Sequence, residues 1–518
     1  MIEKISDFVK KNYLFILLFI FFGMLYVQDL TTYKMFMWDE AEYASLARSV
    51  IDGEGYTVNG GNEVGRLPFY PLSIAGSFLI FGVSYESTKI PGIFFALLLL
   101  IAIYYFVGKY TDKPTALVSA FLLGSIPLFW SKALNTLTDV TFSGLFFAAA
   151  MFFYAGINKD IKYLYGGAVF LGASFLTRYN VVLLIPAIGI YLLYRGLSNK
   201  KKTRGILEAM LKSKHAYLAF FIFLVISIPW LLYLQSETGN IFYGFEDAQN
   251  RIASYGVSSS PWYYYASLLP SLLNGATFLL LVLGMGYTLY KKQDFGIYII
   301  SIILTGILYF SQFSWKGERM MVFLLPFLVI LSGIGLVKVV YPWLTRDLKI
   351  KHVSVGICAV ILIFSFYINY TQVQPILKHS TAIGYPSMIQ ASSFVETTTN
   401  KNDLIIGASI PQYYWYSERV THGYPQEEED LFDFLSKTEV SYILLNNYER
   451  NQPQYVMQLF AKGFFTDEGT LIHPEDAQEL RIFGDLSKFN DPMMNPVTIV
   501  VPTDLFVERT ISLLNATA

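Results

Sequence analysis

From Trp38 to Arg48 the chain reads Trp-Asp-Glu-Ala-Glu-Tyr-Ala-Ser-Leu-Ala-Arg, with three carboxylates inside four residues. The pattern is amphipathic and suits a helix lying along a membrane surface. Asp39 as N-cap, with Glu42 three residues on, completes a capping box, and a capping carboxylate is still able to do chemistry. A second acidic position, Asp139 in Asn-Thr-Leu-Thr-Asp-Val-Thr-Phe, stands where the chain re-enters an apolar run. It too suits a helix cap, with Thr136 and Thr138 competing for that role, and a carboxylate at a membrane edge could complete one pocket with the first cluster. Four basic residues lie in comparable positions: Arg66 before Leu-Pro-Phe-Tyr-Pro, Arg178 in Leu-Thr-Arg-Tyr-Asn, and Lys316 and Arg319 in Trp-Lys-Gly-Glu-Arg-Met-Met. Arginine can grip a phosphate with two parallel hydrogen bonds, and lysine acts as a point charge. The structural alternative for each is anchorage, with the stem in apolar surroundings and the charge in water.

These residues sit in a chain built for lipid. Of 518 residues, 54% are hydrophobic, 17% aromatic and only 15% charged, against about 25% charged in soluble domains. Disordered chains, disulfide scaffolds and nucleic-acid binders are excluded, and an integral membrane protein remains. The one cysteine, Cys358, lies in an apolar run and reads as a small core residue. Residues 1–372 hold 29 Lys+Arg against 20 Asp+Glu, whereas 373–518 hold 9 against 19. The apolar runs stop near residue 372. Two parts follow: a polytopic membrane domain, 1–372, and a soluble domain, 373–518.

Eleven runs of roughly spanning length are expected, near 12–28, 88–108, 114–131, 138–156, 162–177, 180–196, 215–235, 264–290, 295–313, 320–340 and 352–372. The runs 162–177 and 180–196 are short and read as a tight pair. The stretch 195–214 carries seven Lys/Arg, which makes its side cytoplasmic. Alternation then places the N-terminus inside, and the outer loop 29–87, Asp139, Arg178, Lys316, Arg319 and the acidic tail outside. The sequons at Asn369 and Asn515 fall outside as well. Residues 68–82 read as an interfacial helix. The tail alternates strand-like and helix-like runs (404–409, 429–437, 440–447, 453–462, ELRIFGDL and VTIVVP), which suggests a small α/β domain.

The order of these motifs resembles the GT-C superfamily of membrane glycosyltransferases, and in particular the protein O-mannosyltransferases and bacterial aminoarabinose transferases of family 39. The resemblance covers residues 1–340. Asp39-Glu40 matches that family's acidic pair in the first outer loop, and Asp139 its second outer acidic position. Arg66-Leu67-Pro68-Phe69 corresponds to a Lys-Pro-Pro-Leu stretch, with arginine for lysine and one proline missing. Lys316 to Pro326 resembles a later basic-Arg-Tyr-Leu-Leu-Pro stretch without its tyrosine. The resemblance implies an inverting transfer of a sugar from a polyprenyl (dolichyl or undecaprenyl) phosphate to a hydroxyl on a protein, a lipid-linked glycan or a lipid.

In that reading Asp39 takes the acceptor's proton, while Glu40 and Asp139 orient the groups around it. Arg66, Arg178, Lys316 and Arg319 meet the donor phosphate. Trp38, Glu42, Tyr43 and Tyr70 line the sugar or lipid. The aromatic run Trp262-Tyr263-Tyr264-Tyr265 reads first as interfacial belt. No nucleic acid and no catalytic metal are expected, although two carboxylates on separate loops are able to hold a divalent ion. The alternatives are a transporter or flippase of a lipid-linked sugar, an oligosaccharyltransferase-like enzyme, and a sensor whose tail binds ligand. The sugar and the acceptor stay open.

Overall fold

The computed structural model describes the chain apart from residues 1, 32–35, 199–202, 206–207, 209–211, 255–259, 314, 349, 383–384, 450–451, 467–470, 485–495 and 518. The chain forms two compact units, Met1–Tyr33 with Val64–Lys378, and Lys34–Glu63 with His379–Ala518.

The first unit is helical. In chain order it holds α1 (Ile2–Gln28), then, after α2 of the second unit (Trp38–Ile51), α3 (Phe69–Phe81), α4 (Ile90–Tyr110), α5 (Lys113–Ser125), α6 (Pro127–Ala133), α7 (Thr138–Asn158), α8 (Tyr163–Phe175), α9 (Leu184–Ser198), α10 (Lys214–Thr238), α11 (Tyr243–Ser254), α12 (Tyr264–Leu273), α13 (Gly275–Lys291), α14 (Asp294–Ser311), α15 (Leu325–Ile334), α16 (Tyr341–Leu348) and α17 (Lys351–Ala382). Among the described residues eight helices are long and apolar enough to cross a membrane, or ten if the bent pairs α5–α6 and α12–α13 each count as one span. The eleventh expected run is α8. Its 13 residues reach about 20 Å, so length alone does not make it a span. The segment read as interfacial is helical, as α3.

Side-chain pairs sort the helix ends into two sets. Asp139 at the start of α7 meets Arg178, just past α8, and Arg319. At the far ends, Asn158 of α7, Tyr191 and Arg195 of α9 and Asp294 of α14 join: Tyr191 Oη donates to Asp294 Oδ2 at 2.6 Å and Arg195 Nη1 to Asn158 Oδ1 at 2.5 Å. Hence α8, though short, returns the chain to the level at which α7 began.

Both bends are held by buried polar groups. Asn274, at positive φ between α12 and α13, donates to Ser365 Oγ (2.9 Å) and Asn369 Oδ1 (2.8 Å). Asn369 in turn donates to Ser125 Oγ, at the α5–α6 break, at 3.2 Å. Broken helices survive in lipid only when such partners satisfy the freed groups. Asn369 is therefore 1% exposed and committed to this network, so its carboxamide is not open to modification. The side chain of Asn515 lies outside the described residues. Elsewhere α13 meets the α15 end through Gly284 and Gly335; a Cβ on either would strike the other helix's backbone, the close approach that small residues allow between membrane helices.

The second unit is a five-stranded mixed sheet between helices. Its strands are β3 (Leu404–Gly407), β4 (Val420–His422), β5 (Tyr442–Asn446), β6 (Arg481–Phe483) and β7 (Thr498–Pro502), in the order β4-β3-β5-β7-β6. β3 runs parallel to β4 and β5, and β7 antiparallel to β5 and β6. Alternate residues face opposite ways, as the pleat requires. Ile405, Leu444 and Val500 pack with Met388, Ala391 and Val395 of α18 (Pro386–Thr398). Ile406, Ile443, Leu445 and Ile499 pack with Leu431 of α20 (Glu428–Lys437), Val456 and Phe460 of α21 (Gln454–Phe464) and Phe506 of α22 (Thr503–Thr517). Between β3 and β4 runs α19 (Ile410–Ser417). To this unit also belong α2 and a hairpin, β1 (Thr57–Val58) and β2 (Gly61–Asn62), turned by Asn59-Gly60 with both residues at positive φ, the type I′ signature.

Arg419, 7% exposed, ties α18 to β4. Its guanidinium donates to the carbonyls of Glu396 (2.7 Å), Thr399 (2.8 Å) and Ser417 (3.0 Å) and to Thr399 Oγ1 (2.9 Å). Arg419→Ala removes all four bonds and leaves the buried Ser417 carbonyl without this donor. It is expected to destabilise the sheet unit by about 2–3 kcal/mol, read as a lowered Tm of the full chain in detergent.

Candidate active site

Asp139 is the second residue of α7, and its side chain is wholly shielded from solvent. Oδ1 lies 3.0 Å from Arg178 Nη2, and Oδ2 accepts from Arg319 Nε at 2.8 Å. Arg178 Nε also donates to Thr138 Oγ1 at 2.8 Å, and Lys132 stands within electrostatic reach of the carboxylate. Two arginines share one carboxylate, so the cluster keeps a net positive charge and aims partly exposed guanidiniums.

Both arginines stand at 3₁₀ turns that precede a proline. Arg178 caps the turn Tyr179–Leu183, ahead of Pro186 in α9; Arg319 lies in the turn Glu318–Leu324, ahead of Pro326 in α15. Proline lacks the N–H that an α-turn would use and crowds the carbonyl four residues back, so the chain enters each helix through a tighter turn. Arg-x₇-Pro and Arg-x₆-Pro are thus the same local device, a signal visible in the sequence but not used above.

The other basic residues are placed separately. The Phe69 N–H donates to the Leu176 carbonyl at 3.0 Å, so the Arg66–Phe69 stretch runs against the turn that carries Arg178. A Cβ on Gly65, next to Arg66, would collide with the Arg251 guanidinium, and Arg251 is paired with Asp247 one turn back on α11. Tyr179 Oη accepts from Trp230 Nε1 at 3.1 Å. Sequence reasoning missed Arg251; its signal was an Asp-Arg pair at i,i+4 in a segment between two long apolar runs. Lys316 Nζ donates to the Ser260 carbonyl at 3.2 Å, and Tyr265 Oη accepts the Gly317 N–H at 3.3 Å. Of the aromatic run, Trp262 is 74% exposed and Tyr263 half-exposed, as a belt would be, whereas Tyr265 is buried and holds the Lys316–Arg319 loop. Tyr70 is buried in α3. An apolar cavity of about 350 Å³ opens between α7, α8, α9 and α10, lined by Phe153, Leu171, Phe175, Val182, Ile185 and Phe220.

In the second unit α2 begins earlier than the capping box expected from Asp39 and Glu42. Met37 is the N-cap, and its N–H donates to Glu40 Oε2 at 2.9 Å. Glu40, 1% exposed, is the capping carboxylate. The correction follows from Trp38 being already helical, which moves the N3 position to residue 40. Asp39 and Glu42 are half-buried, as is Trp38, and Tyr43 is buried. Further along α2, burial pushes the Arg48 guanidinium below its ordinary pKa, against the opposing pull of the Glu418 carboxylate.

A model of the dolichyl-phosphate-mannose-protein mannosyltransferase family matches residues 66–233. The chain is 22% identical over 357 residues to an undecaprenyl phosphate-alpha-4-amino-4-deoxy-L-arabinose arabinosyl transferase of Shewanella sediminis, covering 66% of this chain and 62% of that protein's length. Its structure superposes on ArnT from Cupriavidus metallidurans, crystallised with undecaprenyl phosphate, with a TM-score of 0.68 at 13% identity, over 95% of this chain and 98% of the other. The fold is GT-C. The Archaeoglobus fulgidus oligosaccharyltransferase, solved with Zn and sulfate, shares it at a TM-score of 0.59 and 12% identity, over 88% and 72% of the two chains.

Proposed function

We propose that the protein is an inverting glycosyltransferase that moves a sugar from a polyprenyl phosphate to an acceptor hydroxyl at the outer membrane surface. The observation that carries this reading is the pair Arg178–Arg319, aimed by buried Asp139 at one end of the membrane unit. Two fixed guanidiniums in a low-dielectric setting suit a phosphate whose charge grows as the sugar leaves. Arg66 adds charge next to the stretch that runs against the Arg178 turn, and Lys316 adds charge three residues before Arg319, whereas Arg251 is neutralised by Asp247. The apolar cavity suits the isoprenoid tail.

In the transfer, the acceptor oxygen bonds to the anomeric carbon as the bond from that carbon to the phosphate oxygen breaks. The electron pair leaves with the lipid phosphate, the acceptor's proton passes to Asp39, and the configuration inverts. Glu40 holds α2 as its cap, and Glu42 and Tyr43 orient the acceptor. Trp38 lines the sugar, whereas Tyr70, which has no exposed surface, packs within α3. The basic loops support a topology in which the N-terminus is cytoplasmic and residues 373–518 are outside, with α8 as an eleventh crossing.

Asp139's carboxylate carries two guanidiniums, and charge compensation is assigned to arginine. The test is purified full chain incubated with labelled undecaprenyl- and dolichyl-phosphate sugars and a cell-envelope extract, with and without EDTA. Label is expected to appear on a hydroxyl acceptor, equally with the chelator. Failure with every donor overturns the reading; activity lost to EDTA and restored by Mg²⁺ or Mn²⁺ overturns the assignment of charge to arginine alone.

A further inference from the structure

Residues 36–63 are separated by more than three hundred positions from the sheet they join, and three of the contacts that join them, among the described residues, are specific in geometry. Near the start of α2, the Phe36 ring meets Trp415 edge-on at 5.1 Å, and its N–H donates to Tyr416 Oη at 3.2 Å. At the hairpin, the Asn59 carboxamide stands in for a strand: Nδ2 donates to the Thr421 carbonyl at 2.6 Å, and the Thr421 N–H donates to Oδ1 at 2.7 Å. This covers the free edge of β4, the outermost strand, as natural sheets tend to do. Near the end of α2, the Arg48 guanidinium lies 3.8 Å over the Trp415 ring and donates to Glu418 Oε1 at 2.6 Å and to the Trp415 carbonyl at 3.4 Å. Glu418 takes a left-handed φ of 55° to end α19.

The first two contacts lie outside α2, whereas the Arg48 clamp grips the helix itself, next to a hydrogen bond between Ser49 and Tyr414. Arg48 and Asp39 sit on the same helix, about 13 Å apart along its axis. A planar guanidinium that is stacked and hydrogen-bonded at once fixes both the roll and the height of a helix, which an apolar contact does not.

We propose that Arg48 is a positioning residue for the transfer reaction: held between Trp415 and Glu418, it fixes the orientation of α2 and with it the carboxylate of Asp39. The C-terminal sheet is then part of the catalytic apparatus through α19. The proposal rests on the assignment of Asp39 as base. A misaimed base slows the chemical step without touching donor affinity, and a displacement of an ångström suffices for a large loss.

The test compares the full-length wild type with Arg48→Met, Arg48→Lys and Glu418→Gly, measuring kcat and donor KM and following hydrogen exchange of the α2 amides. Glu418→Gly removes the carboxylate at a backbone conformation that glycine prefers, so the sheet keeps its fold. Arg48→Met and Glu418→Gly are expected to lower kcat about tenfold or more, with donor KM within about twofold and α2 amides exchanging faster. Arg48→Lys recovers part of both. Unchanged kcat, or unchanged exchange, in Arg48→Met and Glu418→Gly overturns the proposal; so does a rise in KM that matches the fall in kcat. Its failure is separate from that of the base assignment, which falls if Asp39→Asn is active with wild-type Arg48 in place.

Discussion

Asp39→Asn is expected to abolish sugar transfer while leaving donor binding and folding intact. The amide keeps the size and most of the hydrogen-bonding reach of the carboxylate but cannot accept the acceptor's proton. General-base assistance is typically worth about 10²–10⁴-fold, so the residual rate falls to the edge of detection. The neighbouring carboxylate supplies the control. Glu40 is buried and receives the Met37 N–H, so Glu40→Gln weakens a helix cap worth about 1 kcal/mol and lowers activity modestly through α2. Binding of labelled polyprenyl phosphate, measured beside turnover, separates the two. A fully active Asp39→Asn protein would remove the proposed base, and a dead Glu40→Gln with an active Asp39→Asn would exchange the two assignments.

Local patterns read well wherever the structure is set by local physics. The strand-like runs of the tail became β3, β5, β6 and β7, and its helical runs α20 and α21, because alternation and 3.6-residue periodicity are properties of short windows. The three-residue strand β4 escaped, being too short to show alternation and dependent on β3 for its pairing. The apolar runs became helices, but their breaks were not legible. The α12–α13 bend is held by Asn274 against Ser365 and Asn369, some ninety residues away, and no window contains both.

The same limit applies to the functional residues. Asp139, Arg178 and Arg319 were each visible as charges beside apolar runs, yet their meeting depends on three helices arriving at one end of the membrane unit. The structure assembles all three and turns Asp139 from an isolated carboxylate into the tether of two arginines. Asp39 and Glu40 show the reverse case. The motif was legible, but the boundary of α2 decided which of two adjacent acids is the cap, and boundaries depend on the flanking packing of Phe36 on Trp415. Likewise nothing near residues 34–63 announces a sheet that begins at residue 404.

Arg178→Ala and Arg319→Ala are each expected to weaken polyprenyl-phosphate binding by about tenfold to hundredfold, the worth of one charge-assisted hydrogen bond. Each single variant should fold, since Asp139 keeps one guanidinium. The double variant leaves a carboxylate with no solvent access and neither of its pairing guanidiniums, and is expected to lose about 3–5 kcal/mol of stability, read as a fall in Tm. Asp139→Asn then separates charge from geometry. If the arginines acted only through the number of positive charges, removing the carboxylate would raise the local potential and tighten phosphate binding. If Asp139 aims them, the amide oxygen accepts from one arginine only and the NH₂ donor faces the other, the guanidiniums repel one another, and the donor Kd rises despite the added net charge. Weaker binding in Asp139→Asn, measured at two ionic strengths so that bulk charge is accounted for, is the expected result; tighter binding at both would mean that the carboxylate opposes the phosphate and that its arginines need no tether.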